Sequence, residues 1–253
     1  MKTITMTKEK VYEGNLILVN HNHPYNEVFA EKNLVAVEFN DNSLKMKQQC
    51  ASVFTRLMDK LRAWKKIHMV SGWRSLLEQE RIYAESLSEN GAEFTAKYVA
   101  LPGCSEHQTG LAIDLALNKP EVDFIRPYFP DTGICGVFKK KSVIYGFIER
   151  YPKGKEHVTG IAHEPWHFRY VGAPHAALIN RFDDTLEEYH ERLKQFPFGG
   201  TGLICEFNGL SAEVFYLSVE KNEWHFKIDD NTMYTVSGNN TDGFIITVLG
   251  NKQ

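Results

Sequence analysis

Ser105-Glu106-His107-Gln108-Thr109-Gly110-Leu111-Ala112-Ile113-Asp114 is the stretch from which the fold is read. Its second half runs into Leu111, Ile113, Leu115 and Leu117, an alternation with the period of a half-buried strand. Asp114 then falls on the other face, between Ala112 and Ala116, where two small side chains leave room beside a carboxylate. His107 and Asp114 are both of metal-ligating type. A metal held by them needs a third ligand, and a reaction there needs a base. Glu164-Pro165-Trp166-His167 is the best source of both.

The chain around these two motifs is ordinary in bulk. It has 253 residues, 43% hydrophobic and 24% charged, enough for one large domain with a small module attached. A net charge of −3 gives no footprint for nucleic acid, and no partner of that class is expected. No run approaches the ~20 apolar residues of a membrane span, and the polar N-terminus lacks the apolar core of a signal peptide. Cys50, Cys104, Cys135 and Cys205 are scattered, with no C-x-x-C pair. Free thiols in a reducing compartment fit best, so the expected location is cytoplasmic.

Residues 1–14 are polar and are expected to be partly mobile. Leu16-Ile17-Leu18-Val19 reads as a short strand before a His21-Asn22-His23-Pro24 turn. Ser43–Lys66 reads as a helix, with Val53, Leu57, Leu61 and Trp64 on one side. Ile67–Ser71 reads as a strand with a tight exit at Gly72-Trp73-Arg74. Ser75-Leu76-Leu77-Glu78 has the form of a capping box opening a helix that ends near Asn90-Gly91. A second helical piece covers Ala92–Ala100. Asn118–Thr132 reads as an irregular loop and Gly136–Arg150 as a helix. Pro165 disfavours helix at Glu164, and Trp166–Val171 alternates as a strand with His167 and Arg169 on one face. Pro174 then opens a helix expected to run to Gln195. After Phe196-Pro197-Phe198-Gly199-Gly200, five short β-rich runs alternate with turns. The expected class is α+β: a central antiparallel sheet flanked by helices and holding a metal site, followed by a small all-β appendage. The expected division is 1–197 and 198–253.

Two imidazoles and one carboxylate leave a tetrahedral metal one open position. Glu164, three residues before His167, is placed to act as base and acid. Arg74, permanently charged at a strand exit, is placed to stabilise an oxyanion. Each residue alone has a plainer reading. A lone buried histidine is more often a satisfied core residue, a lone Asp after Gly a turn, and a lone Glu or Arg a solvated side chain. His163 competes with His167 as ligand, and His167 is preferred because it lies in the strand pattern with Glu164. Cys104, near His107, has the wrong phase.

Ser-x-His-x-x-Gly-x-Ala-x-Asp over Ser105–Asp114, followed by Glu-Pro-Trp-His-Phe-Arg-Tyr-Val-Gly over Glu164–Gly172, resembles the D-Ala-D-Ala zinc peptidases of the VanY, VanX and VanXY group. Ser71-Gly72-Trp73-Arg74-Ser75 with Gln79 resembles a further segment of that family. The resemblance implies Zn2+ on His107, Asp114 and His167, with Glu164 as base and acid and Arg74 as oxyanion stabiliser. It also implies Ser105 near the substrate carboxylate, Gln79 lining the pocket and Trp166 as a wall. The Glu-Pro-Trp-His form looks closer to the VanY and VanXY branches than to strict VanX dipeptidases, and with the expected cytoplasmic location the chain most resembles the bifunctional VanXY type. The substrates it implies are the D-Ala-D-Ala dipeptide and the D-Ala-terminated muramyl pentapeptide precursor, with glycopeptide (vancomycin) resistance as the outcome.

Three other readings compete. An L-Ala–D-Glu cell-wall endopeptidase uses the same kind of centre. A non-catalytic zinc module for wall binding or signalling would have no use for Glu164 and Arg74 together. A non-haem iron oxygenase also uses two histidines and a carboxylate, but usually spaces the carboxylate two residues after the first histidine.

Overall fold

The structure, a computed structural model, describes residues 1–26, 33–38, 41–220 and 223–251. It divides into two compact units, Val19–Ala176 and Met1–Leu18 with Ala177–Gln253.

The first unit is built on a four-stranded antiparallel sheet. Its strands are β4 (Ile67–Ser71), β5 (Ala112–Leu117), β6 (Phe147–Tyr151) and β7 (Glu164–Tyr170), in the order β4-β5-β7-β6. A hairpin of β2 (Leu34–Glu38) and β3 (Asp41–Lys47) precedes α1 (Gln48–Leu61). The expected helix from Ser43 therefore starts later, because Ser43–Lys47 pairs as β3. β5 is central and buried on both faces, not on one as its alternation suggests. Ala112 and Ala116 are as inaccessible as the leucines, so the polar-looking face is an interior face. Phe54 of α1 packs edge-on against Phe138 of α3 (Gly133–Ser142) and Phe147 of β6, each ring pair at 6.2 Å. Phe138 meets Phe168 of β7 at 5.0 Å. This aromatic layer holds one face of the sheet.

Gly136–Arg150 is not one helix. α3 ends at Ser142, a short 3-10 turn comes next, and Gly146 at φ 85° turns the chain into β6. A Cβ at Gly146 would lie 2.7 Å from Ala173 N and Gly172 C, so only glycine fits the turn. α2 (Leu76–Tyr98) has its N-cap at Ser75, whose hydroxyl accepts from Glu78 N, and is broken at Gly91, as the sequence indicates. α4 is a single turn, Glu156–Thr159.

The ladder of the sheet is irregular in two places. Between Met69 and Ser71, β4 gains one residue over β5. Between Glu149 and Tyr151, β6 advances two residues while β7 runs from Phe168 back to Glu164. Bulges of this kind re-aim side chains. The second lets Glu164 and His167, three apart and so of opposite parity, reach the same place.

The second unit carries β1 (Lys2–Thr7), paired antiparallel with β10 (Glu223–Ile228). A four-stranded sheet has the order β11-β12-β9-β8, from Met233–Gly238, Gly243–Asn251, Leu210–Ser218 and Leu203–Phe207. The five β runs after residue 200 are as expected; β1 was not expected in so polar a segment. Leu16–Val19 is buried but forms no strand. Leu16 N donates to Ser237 Oγ and Leu18 N to Asn239 O, so its amides are taken by a side chain and a turn, not a ladder. The helix expected from Pro174 to Gln195 is two, α5 (Ala173–Phe182) and α6 (Leu186–Leu193). Asp183 breaks it at φ 54°, and Thr185 caps α6 in a capping box with Glu188.

Candidate active site

Strand register assembles the site. Asp114 lies opposite His167 on one side and Ser71 on the other, and Glu164 lies opposite Tyr151. His107 reaches the same place from a 3-10 turn, Glu106–Thr109, which ends at Gly110 in the left-handed region (φ 69°). His107, Asp114 and His167 are all buried, and one ligand atom from each lies within 4.8 Å of the others. His107 Nε2 is 3.0 Å from Asp114 Oδ2, and His167 Nδ1 is 2.9 Å from Asp114 Oδ1. Bonds of about 2.0–2.1 Å in a tetrahedron put ligand atoms ~3.3 Å apart, so this donor set fits a zinc ion.

The outer hydrogen bonds fix which nitrogen points inward. His107 Nδ1 is 2.7 Å from Gly72 O. A carbonyl only accepts, so Nδ1 carries the proton and Nε2 is left with its lone pair facing Asp114. His107 is held below the ordinary histidine range, by burial and then by the Arg74 and His167 charges, against the pull of Asp114. His167 is arranged the other way round. Its Nδ1 faces Asp114, and its Nε2 lies 3.4 Å from Glu106 Oε2. Burial opposes its charge, but Asp114, Glu106 and Glu164 outweigh that and raise it to about 10. The three carboxylates thus demand positive charge at this spot. A proton on His167 Nδ1 answers part of that demand, and a metal cation would take its place.

Glu106 is the residue the sequence did not single out. Its side chain is fully buried and accepts at 2.7 Å from both Arg150 Nε and Arg169 Nη1, whose side chains are equally buried. Burial pushes its carboxyl up, but Arg169 and Arg150 hold it well below the usual range. The motif hides Glu106 as one of its variable positions, and Arg150 falls where a helix was expected. The available signal was Arg169, placed on the face of His167 by strand alternation. Tyr151 was also missed; its ring lies 5.0 Å from that of His167.

Glu164 is buried, with Oε2 3.9 Å from His167 Nδ1. Burial, with Asp114 and Glu106 adding to it, raises its carboxyl to about 8 against the pull of His167 and Arg74. Arg74 is buried too. Nη1 donates to Gln79 Oε1 and Nη2 to Ser71 Oγ, each at 2.8 Å, while Nε has no partner among the described residues. Gln79 Nε2 donates to Ala100 O at 2.7 Å, so the amide is fixed and holds Arg74 in turn. Arg74, Gln79, Ser105, His107, Asp114, Glu164, Trp166 and His167 all line one cavity of about 50 Å³. His163, the competing ligand, points away and contacts Glu149 at 3.0 Å. Cys104 is not in the ligand set.

Residues 43–173 match the family model described as VanY, D-alanyl-D-alanine carboxypeptidase. The bifunctional D-Ala-D-Ala dipeptidase and carboxypeptidase VanXYC of Enterococcus gallinarum is 45% identical over 72% of this chain and 96% of its own. The vancomycin resistance D,D-dipeptidase VanXYg, solved with a D-Ala-D-Ala phosphinate analogue, superposes with a TM-score of 0.95 at 45% identity, over 98% of this chain and 99% of its own. A mutant of the D,D-pentapeptidase VanY from a VanB-type cassette, solved with Zn(II), gives 0.58 at 31% identity over 70% and 98%.

Proposed function

This chain belongs to the VanY family of D-alanyl-D-alanine carboxypeptidases, and from that premise we propose that His107, Asp114 and His167 hold the Zn2+ of a D,D-peptidase. Its substrates are the D-Ala-D-Ala dipeptide and the D-Ala-terminated muramyl pentapeptide precursor. Each loses its terminal D-Ala by hydrolysis of the preceding amide. Removing precursors with that terminus is the contribution to vancomycin resistance. The observation that carries the reading is Glu164, buried beside the two-histidine, one-aspartate set and sharing its cavity with the unpaired Arg74 Nε.

Zinc, when bound there, polarises the scissile carbonyl and lowers the pKa of a water from 15.7 to about 7. Glu164 takes the proton of the attacking water and returns it to the departing amine nitrogen. For this it must be a carboxylate, and a dication beside it opposes the burial that otherwise raises its pKa. Arg74 stabilises the developing oxyanion, an effect worth ~3 kcal/mol in a site closed to water. Gln79 and Ser71 hold the guanidinium flat and in place. Ser105 and Trp166 line the end that receives the terminal D-Ala. Glu106 orients His167 through Nε2, and Gly72 O orients His107 through Nδ1. We place the chain in the cytoplasm, which four cysteines with no disulfide among them support. Among the described residues no helix is long and apolar enough to cross a membrane.

The test is incubation of zinc-loaded protein with D-Ala-D-Ala, the pentapeptide precursor and intact cell wall. Release of D-alanine from the first two, with no fragments from the third, is the expected result. Wall fragments without D-alanine release would favour the L-Ala–D-Glu endopeptidase.

A further inference from the structure

His163 stands one residue before Glu164, and the ligand set makes no use of it. Its Nε2 lies 3.0 Å from Glu149 Oε1. A carboxylate only accepts, so Nε2 donates. Glu149 Oε2 is 2.9 Å from Lys139 Nζ of α3, and the same ammonium reaches Asp131 Oδ1 at 2.6 Å. The His163, Glu149 and Lys139 side chains are 32%, 25% and 14% exposed, so these contacts are partly shielded from water. None of the three lines the catalytic cavity.

What the contacts span is the break in the sheet. Glu149 pairs with Phe168 and Tyr151 with Glu164, so Pro165, Trp166 and His167 face Arg150 alone. Three residues against one interrupt the ladder, and Pro165 has no N–H to offer it. Glu164 is the first residue of β7 and Tyr151 the last of β6, so regular pairing holds the base only through a terminal pair. The His163–Glu149 bond ties the chain just before Glu164 to β6 on the far side of the break. Neighbouring residues of β6 then support the two halves of the site. Arg150 holds Glu106, which faces His167 Nε2, and Glu149 holds the approach to Glu164. Resting on the D,D-peptidase reading, we propose that His163, Glu149 and Lys139 are positioning residues for Glu164. They staple the bulge of β7 and hold the Glu164 carboxylate beside the ligand set. A base must lie within hydrogen-bond reach of the proton it takes. A misplacement of about 1 Å can cost ~10²-fold in rate.

The test measures kcat and KM for D-Ala-D-Ala on zinc-loaded full-length protein, with zinc per chain on the same samples. His163→Ala cuts the staple. It should lower kcat about 10–100-fold, with KM within about twofold of wild type and zinc content unchanged. His163→Gln, whose amide N–H can still donate to Glu149, should recover kcat to within about threefold of wild type. Glu149→Ala should match His163→Ala, and the double variant should be no slower than either single one, since both cut the same link. The His163 variants change a side chain that is a third exposed, and they carry the test alone should Glu149→Ala fail to fold. Wild-type kcat in His163→Ala would overturn the proposal. So would a loss that His163→Gln does not recover, or one that comes with loss of zinc. Wild-type protein that releases no D-alanine would refute the D,D-peptidase reading instead. The staple is then read from amide hydrogen exchange over residues 161–167, which should be faster in His163→Ala and restored in His163→Gln. Equal exchange in all three proteins would overturn the staple by itself.

Discussion

Replacing Glu106 with Gln removes a buried charge held by two arginines beside His167, and the structure gives its consequences. Glu106 is the carboxylate on the far nitrogen of His167, and it neutralises Arg150 and Arg169 in a fully buried cluster. Outer carboxylates of this kind hold a ligating imidazole in one ring orientation and raise its basicity. Their loss typically weakens metal binding 10–100-fold, or ~1.4–2.7 kcal/mol. Folding suffers as well, since two guanidiniums remain in the interior without their counter-charge. Breaking a buried pair from one side costs ~3–5 kcal/mol. Because glutamine keeps an acceptor oxygen and the shape of the side chain, the lower end applies. The two effects separate in two assays. Zinc affinity is measured by competition with a chromophoric chelator at a temperature where circular dichroism shows the variant folded. Stability is measured as the Tm of the zinc-free proteins. The control is Glu93→Gln, which alters only an exposed pair with Lys97. A folded Glu106→Gln variant binding zinc within about twofold of wild type would refute the role given to Glu106.

Arg74→Met should lower kcat for D-alanine release by about 10²–10³-fold, with zinc content by elemental analysis unchanged. Gly110→Ala should cost ~1–2 kcal/mol, since Gly110 is left-handed (φ 69°). The new Cβ would also press 2.8 Å from Leu34 Cδ2 and 3.1 Å from Lys47 N. A fall in Tm of about 2–8 °C by calorimetry is expected. The acid limb of stability should report Glu106. Its folded pKa lies below its ordinary value of 4.5, so its contribution is present above that value and is lost as pH falls towards the folded pKa. Chemical denaturation of the zinc-free proteins between about pH 5 and pH 2 should then show wild type losing more stability than Glu106→Gln.

Where the sequence told the fold truly, a local physical signal was strong. Ser75 three residues before Glu78 marks the start of α2, and the freedom of Gly91 marks its break. Alternation located β5 and β7, and the motif glycine sits where the left-handed turn requires it. Where the reading failed, a local pattern was overridden by something distant. Leu16–Val19 has strand composition, but its amides find Ser237 and Asn239, more than two hundred residues away. Phe147–Arg150 would continue the helical pattern of α3, but Gly146 has already turned the chain into β6. Asp183 breaks the last long helix by taking a positive φ that its composition does not advertise. The site divides in the same way. Ligand types and spacing point to His107, Asp114 and His167, and the neighbouring Glu164 follows from chemistry. The pairing of Glu106 with two arginines depends on β6–β7 register, and nothing in one dimension reveals it. Nor does spacing explain how Glu164 and His167 meet, since that rests on the bulge in β7.

The central claim is that a zinc ion on His107, Asp114 and His167 works with Glu164 to release D-alanine. Glu164→Gln tests it most directly, with zinc per chain and D-alanine release from D-Ala-D-Ala measured on the same preparation. One zinc per chain is expected in both proteins, with a turnover loss of about 10²–10⁴-fold in the variant. A variant that keeps its zinc and hydrolyses D-Ala-D-Ala at the wild-type rate would contradict it.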